Sequence, residues 1–185
     1  MNVIIRIASI EDAQKVYEIY EYYIHHTLAT FNELNKTIKE RAQEIERLLR
    51  DYPFLVAEDE QKNFLGFACA EPFRPQSGYR YTVELTIYLH PDAPRRQGVG
   101  SQLYERLLSM LTQQGYRTAL GVLYGQNEES LALHRRFGFE EILLLPNAAY
   151  KHGQWLDMRI MKKTLSPYEE KPPLPVPFCE YRKSL

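Results

Sequence analysis

Apolar side chains recur at steps of three and four residues in four segments of the chain, which is the spacing of an amphipathic helix. The first two segments lie on either side of a connection over 28–35. The third follows Gly98 and closes at Gly115, since glycine commonly stands just after the last turn of a helix. The fourth covers 127–137 and ends at Gly138. The pattern therefore predicts four helices.

Between these segments the chain changes to short apolar runs or to strict alternation of apolar and polar residues, and both patterns are typical of β-strands. Over 81–90 the alternation places Val83 and Leu85 on one face and Glu84 on the other, so a carboxylate lies opposite the core face. The other runs cover 3–8, 54–58, 64–71, 118–124, 140–145 and 155–162. Helices interleaved with such runs predict an α/β (α+β) fold, in which a single mixed, mostly antiparallel sheet is flanked by helices.

The composition is that of a globular protein with balanced charge. Of 185 residues, 44% are hydrophobic and 25% charged, which is enough for one core and too few to argue for two. The 23 basic and 24 acidic residues give a formal charge of −1, which disfavours nucleic acid or an anionic membrane as a partner. We also find no leader pattern at the N-terminus and no window that predicts a membrane span.

The cysteines exclude two further classes of protein. Cys69 lies inside an apolar run and Cys179 near the end of the chain, so they form neither a disulfide framework nor a metal-ligand spacing. The histidines show no metal-ligand spacing either. We therefore expect no metal site and a reducing, cytoplasmic location.

The end of the chain differs in composition from the rest. Residues 166–185 contain five prolines among charged residues, which excludes a core helix. We expect one domain over 1–165, followed by an extended tail that lies on the surface or in solvent. An arm that packs on a partner subunit is the alternative.

The candidate chemistry begins at the loop Arg95-Arg96-Gln97-Gly98-Val99-Gly100, which leads into the third predicted helix. Glycine lets the backbone approach a ligand closely, and the N–H groups at the start of a helix bind anions. The loop is suited to a diphosphate. It lacks the Gly-Lys-Ser/Thr of a triphosphate loop and the third glycine of a dinucleotide fingerprint. An ordinary turn with two glycines is the alternative.

Arg95-x-x-Gly98-x-Gly100 resembles the acyl-CoA signature of the GNAT superfamily of N-acetyltransferases. Further segments resemble a narrower group within it, the phosphinothricin and methionine sulfoximine/sulfone acetyltransferases. They are Phe73-Arg74-Pro75, Tyr81-Thr82-Val83-Glu84 and Lys151-His152-Gly153-Gln154-Trp155-Leu156-Asp157, while Asn127-Glu128-Glu129-Ser130 resembles the helix that follows in the superfamily as a whole. The resemblance extends over about 3–165. It implies acetyl-CoA as co-substrate, a small amino-acid-like amine as acceptor, and a homodimer.

The resemblance also implies which residues bind acetyl-CoA, in part because the family's strand splays near Tyr88 and pairs with the cofactor through its backbone. The expected set is Ile87, Tyr88, Leu89, Arg95, Arg96, Gln97, Gly98, Val99, Gly100, Ser101 and Asn127. Some members have simpler interpretations. The side chains of 87–89 are expected in sheet packing, one of the two arginines is a plausible surface charge, and Asn127 suits a helix N-cap.

Two residues are candidates for catalysis. By the resemblance, Glu84 corresponds to the proposed general base of the family. A base is needed because an ammonium group must lose a proton before it attacks a thioester. The alternative is a carboxylate that only binds and orients the ammonium. His134 stands where many relatives have a tyrosine thought to protonate the departing thiolate, and the alternative is a histidine packed on its helix. We expect direct transfer without a covalent acetyl-enzyme.

The residues expected to bind the acceptor are Phe31, Arg74, Pro75, Gln76, Tyr79, Glu84, Leu85 and Thr86. Relatives that act on phosphinothricin carry a second basic residue where this chain has Gln76, so the sequence favours the less charged sulfone or sulfoximine. Two other functions stay open. One is acetylation of a peptide N-terminus or a polyamine, and the other is a catalytically silent acyl-CoA-binding module.

Overall fold

The computed structural model describes residues 2–95 and 97–185. Its helices are α1 (Ala13–His26), α2 (Ile38–Asp51), α3 (Val99–Gln114), α4 (Glu128–Arg136) and α5 (Phe178–Tyr181). Its strands are β1 (Ile4–Ile7), β2 (Phe54–Glu58), β3 (Phe64–Pro72), β4 (Thr82–Leu89), β5 (Thr118–Tyr124), β6 (Glu140–Lys151) and β7 (Gln154–Thr164). Single-turn 3-10 helices cover Ile10–Asp12, Ser77–Tyr79 and Arg182–Ser184.

In the described part of the chain the strands form one sheet of seven, in the order β1-β2-β3-β4-β5-β7-β6. The β4–β5 pair is parallel, and its neighbours pair antiparallel. The predicted fold class is thereby confirmed. None of the helices in the described ranges has both the length and the apolar character that a membrane crossing requires.

Both faces of the sheet are covered by helices. On one face Val83 packs in a core with Leu103 and Leu107 of α3. On the other face Tyr88 packs against a core that includes Ile19 of α1 and Ile45 of α2. The alternating residues of β4 therefore point into two different layers, and the even-numbered positions face α1 and α2.

A capping box fixes the start of α2. The backbone N–H of Glu40 donates to the Thr37 hydroxyl at 3.2 Å, and the Thr37 N–H donates to the Glu40 carboxylate at 2.7 Å. Such reciprocal caps satisfy donors that the first turn of a helix leaves free. The connection between α1 and α2 is thus closed at its end by local chemistry.

The central strands separate partway along their length. β4 and β5 pair through three residue pairs, the last being Glu84 with Leu120. Beyond Glu84, β4 stays paired with β3 as far as Leu89, and β5 stays paired with β7 as far as Tyr124. Within the described residues, the facing edges of β4 and β5 beyond this point therefore have no strand partner.

The C-terminal hairpin is longer than predicted. The run predicted over 140–145 continues to Lys151, and a register shift between Leu145 and Ala149 accommodates Pro146. Proline has no N–H to give to a ladder, which is why strands bulge around it. The sequence pattern therefore ended the strand too early.

The proline-rich segment 166–185 returns to the body of the protein. Phe178 is 0% exposed and belongs to the core on the α3 face of the sheet. The N–H of Val176 donates to the Gln114 carbonyl at 2.8 Å, and the Tyr181 hydroxyl donates to the Gln113 side chain at 2.6 Å. The expectation of a surface or solvent tail misses this anchor. The division of the chain at residue 165 stays a prediction.

Candidate active site

A cavity of about 970 Å³ opens where β4 and β5 separate. Ligand pockets in proteins are typically about 300–1,000 Å³, so this one suits a large ligand. Its wall includes the second half of β4 from Glu84, the end of β5 from Val122, and residues of α1, α4 and the connection before α2. One end lies at the start of α3 beside Gly100, and the other lies against α2 at Glu44.

The start of α3 offers donors for an anion. Gly98 is the N-cap with a φ of 78°, a left-handed conformation that favours glycine, and no side chain caps this end. The first helical bond runs from the Gln102 N–H to the Gly98 carbonyl at 2.9 Å. The N–H groups of Val99, Gly100 and Ser101 precede it and have no partner within the helix. This geometry fits a diphosphate.

Arginine side chains lie near this helix end. Arg95 lines the cavity, and its guanidinium is 3.5 Å from the Glu129 carboxylate at the protein surface. Arg136 donates to the Ser101 hydroxyl at 3.3 Å. Arg136 was not predicted from the sequence, because it reaches α3 from the end of α4 and no local pattern indicates this contact. Arg96 lies outside the described residues.

The other predicted cofactor residues differ in which part of them reaches the cavity. Ile87, Tyr88 and Leu89 line the wall, whereas the Val99 side chain is buried in the core. A Cβ at Gly100 would meet Leu89 at 3.7 Å and Ile87 at 3.8 Å, which are ordinary contacts. Because the Val99 side chain is buried in the core, only the backbone groups of Val99 are available to a ligand. Gln97 is an exposed residue of the loop itself.

Asn127 lies in the wall and also caps α4. Its side-chain oxygen accepts a hydrogen bond from the Ser130 N–H at 3.1 Å. The N-cap interpretation of Asn127 therefore holds, because this bond satisfies a free donor of the first turn.

His134 borders the cavity but is only 1% exposed. Its Nδ1 donates to the Ser130 carbonyl at 2.8 Å, and the buried Tyr104 hydroxyl donates to its Nε2 at 2.7 Å. Burial lowers the pKa of His134, so the neutral ring with a proton on Nδ1 is favoured. A Cβ at Gly121 would lie 2.2 Å from Nε2, so glycine is required there for the ring to fit. Both ring nitrogens are thus engaged within the protein.

Glu84 lies in the wall, half-buried, at the point where the strands part. Burial raises the pKa of its carboxyl, and the negative charge of Glu71 adds to the effect, while Arg74 opposes it. Glu71 is its direct partner across β3 and β4 and lines the same cavity. Burial likewise raises the pKa of Glu71. The alternating pattern of β4 identified Glu84, whereas the sequence reasoning missed Glu71.

Basic residues near α2 neutralise a third carboxylate. Arg41 donates to Glu44 at 2.8 Å, and Lys36 also pairs with Glu44. The Arg41 guanidinium lies 3.5 Å from the centre of the Tyr20 ring, and it donates to Asn35 at 2.8 Å. The charge of Glu44 is therefore compensated at the α2 end of the cavity.

A buried lysine holds the connection that carries Phe31. Lys151 is 1% exposed, and its Nζ donates to the carbonyls of Thr27 at 3.0 Å and Thr30 at 2.8 Å. Next to it, His152 Nε2 donates to the Ile24 carbonyl at 3.0 Å. These bonds hold the connection against the cavity, where Phe31 forms part of the wall.

The predicted acceptor residues fall into two groups. Leu85 and Thr86 join Phe31 and Glu84 in the cavity wall. The remaining four, Arg74, Pro75, Gln76 and Tyr79, lie on the exposed connection between β3 and β4 and are not part of the wall. The Arg74 guanidinium instead lies 4.6 Å from the centre of the Phe73 ring. Contact of this second group with the acceptor stays a prediction.

The chain is similar in sequence and structure to known acetyltransferases. The model described as "Acetyltransferase (GNAT) family" matches residues 13–139. The L-methionine sulfoximine/L-methionine sulfone acetyltransferase of Pseudomonas aeruginosa is 34% identical over 93% of this chain and 100% of the relative. The phosphinothricin N-acetyltransferase of Streptomyces viridochromogenes is 34% identical over 93% of each chain. A GNAT superfamily phosphinothricin acetyltransferase from Sinorhizobium meliloti, solved with AcCoA, gives a TM-score of 0.89 at 35% identity and 94% coverage of each chain.

Proposed function

Because the chain belongs to the GNAT family and is an acetyl-CoA-dependent N-acetyltransferase, we propose that it acetylates the α-amine of a small amino-acid-like acceptor. Methionine sulfone, methionine sulfoximine and phosphinothricin define the acceptor type, since relatives named for them match over nearly the whole chain. One observation carries the proposal. A single cavity joins the anion-binding end of α3 to the half-buried carboxylate of Glu84.

The start of α3 holds the diphosphate of coenzyme A through the N–H groups of Val99, Gly100 and Ser101. Arg95 and Arg136 add positive charge beside it. The unpaired edges of β4 and β5 supply further donors and acceptors along the cavity. Bound acetyl-CoA supplies an activated acetyl thioester.

Glu84 accepts a proton from the acceptor ammonium, directly or through water. A raised pKa makes a carboxylate a stronger base, and a general base works best when its pKa approaches the working pH. The cysteines support transfer without a covalent acetyl-enzyme. Burial raises the pKa of the Cys69 thiol and so favours its protonated form, and neither Cys69 nor Cys179 is among the described residues that line the cavity.

His134 packs the wall in this proposal and does not donate a proton. Its Nδ1 proton is held by the Ser130 carbonyl, and its Nε2 accepts from Tyr104. A proton donor would need a free N–H directed at the departing group. The histidine therefore shapes the cavity beside Gly121.

The test is a thiol-release assay with methionine sulfone, methionine sulfoximine, phosphinothricin, the common amino acids and a short peptide. We expect release with at least one of the first three, and loss of turnover with retained acetyl-CoA affinity in Glu84→Gln. Release only with the peptide would overturn the acceptor class. An unchanged rate in Glu84→Gln at neutral pH would remove the base assignment.

We also propose that the protein forms a homodimer through the free edge of β6. This strand ends the sheet, and its side chains at 142–145 are 41–54% exposed although all four are Ile or Leu. Nearby Trp155 is 63% exposed and lies 5.3 Å from the ring of Tyr150. Long apolar edge strands associate unless something covers them. Sedimentation should give a dimer for the native chain and a monomer for Leu144→Lys, and a monomeric native chain would refute the proposal.

A cytoplasmic location completes the proposal. Both cysteines are free thiols, and such thiols persist in a reducing compartment. Fractionation of cells that produce the protein at native levels tests this placement, and recovery outside the cytoplasm would contradict it.

A further inference from the structure

Two carboxylates face each other at the point where the central strands part. Glu71 of β3 and Glu84 of β4 are direct partners in an antiparallel pair. Such partners point to the same face of the sheet, with Cβ atoms about 4.5–5.5 Å apart. Both residues are half-buried, and both line the cavity. Strand pairing normally avoids like charges in this position because they repel, so the pair indicates a function.

Among the described residues, the lysine and arginine side chains that line the cavity are paired with other carboxylates. Lys36 and Arg41 pair with Glu44, and Arg95 pairs with Glu129 at the opposite end of the cavity. Among residues 2–95 and 97–185, no basic side chain forms an ion pair with either member of the Glu71/Glu84 pair. The charged or titratable groups that interact electrostatically with Glu71 or Glu84 are Lys36, Arg41, Glu44, Arg47, Tyr52, Cys69 and Arg74.

We propose that Glu71 determines acceptor specificity: with Glu84 it forms a two-carboxylate site for the acceptor ammonium and selects against acceptors with an anionic side chain. The proposal rests on the proposed function and names its substrate class. A primary ammonium has three N–H donors, which two adjacent carboxylates can share, and charge-assisted bonds of this kind are strong. An anionic group in the same cavity is repelled by the carboxylate that remains uncompensated.

Methionine sulfone and phosphinothricin separate these two effects. Both carry an α-ammonium and an α-carboxylate group, but the sulfone side chain is neutral and the phosphinate is an anion. Loss of the ammonium contact changes both acceptors alike. The ratio of their kcat/KM values therefore reports only the repulsion of the side chain.

The experiment measures this ratio for the native enzyme, Glu71→Gln, Glu71→Asp and Glu46→Gln. Glu46 lies on the exposed face of α2, so its variant makes the same charge change away from the cavity. We expect the native enzyme to prefer the sulfone, and Glu71→Gln to reduce that preference on the order of tenfold, the scale of one partly screened charge. Glu71→Asp and Glu46→Gln should keep it. An unchanged ratio in Glu71→Gln, or an equal loss in Glu71→Asp, would overturn the proposal.

A second measurement needs no variant. L-Glutamine and L-glutamate have the same shape and differ by one negative charge, so glutamine should inhibit methionine sulfone acetylation more strongly. Equal inhibition would contradict selection by charge. Failure of the proposed function gives a different result, because no acceptor would then release thiol from acetyl-CoA even in the native enzyme.

Discussion

Lys151→Met should loosen the connection that carries Phe31 without disturbing the cofactor end of the cavity. Lys151 is 1% exposed, and its ammonium group donates to the carbonyls of Thr27 and Thr30 at 3.0 and 2.8 Å. Hydrogen bonds to charged groups contribute about 1.5–3 kcal/mol each, and burial of the ammonium offsets part of this. Two such bonds would contribute about 3–6 kcal/mol, and desolvation of one ammonium group offsets part of that. We therefore expect the free energy of unfolding to fall by about 2–4 kcal/mol.

The position of the two carbonyls makes the effect local. Both belong to the connection between α1 and α2, so the variant should show faster amide exchange over 27–35 and a higher KM for the acceptor. The KM for acetyl-CoA should stay the same, because the start of α3 does not contact Lys151. Lys39→Met, at an exposed position on α2, controls for loss of a lysine charge. Native-like exchange over 27–35 together with a native acceptor KM would refute the reasoning.

Three further predictions address the rest of the site and the fold. Phe178→Ala should lower the free energy of unfolding by about 3–5 kcal/mol, because the side chain is fully buried. Leu174→Ala, at a position 63% exposed, should leave the melting temperature nearly unchanged. Equal melting temperatures for the two variants would mean that the tail is not anchored. Gly121→Ala should cost about 1–3 kcal/mol in thermal unfolding, because the new Cβ would overlap the His134 ring, and native stability would contradict that geometry. The acid limb of the kcat/KM profile should lie above the ordinary pKa of a glutamate, because the pKa of Glu84 is raised and Glu84 must lose its proton to act as a base. Glu71→Gln should move this limb to lower pH, because the variant removes a like charge beside Glu84. A limb that stays in place would exclude coupling of the two groups.

The sequence predicted the elements whose signals are local. The helix after Gly98 and the alternation around Glu84 need only their neighbours in the chain, and both agree with the structure within a residue or two. The family inferred from Arg95-x-x-Gly98-x-Gly100 is likewise confirmed. Local signals also misled, because the apolar run over 140–145 predicted a strand that ends there, whereas the structure continues it to Lys151.

Features that depend on distant contacts were not predictable. Lys151 meets carbonyls 121 and 124 residues away in the chain, and no pattern in its surroundings indicates a buried ammonium. The partnership of Glu71 with Glu84 depends on the register of two strands. Burial of Phe178 depends on where the tail returns to the sheet. Each is a result of three-dimensional packing of residues that look ordinary in sequence.

The separation of β4 from β5 leaves a sheet that is incomplete on its own. In the described part of the chain, the facing edges of β4 and β5 beyond Glu84 and Leu120 have no strand partner, so their backbone groups can bond with a ligand. A ligand that carries amides could lie there as a surrogate strand, and its binding energy would add to the stability of the fold. The melting temperature of this enzyme should therefore rise with the concentration of acetyl-CoA. In a cell that is short of acetyl-CoA, a larger fraction of the enzyme would be unfolded.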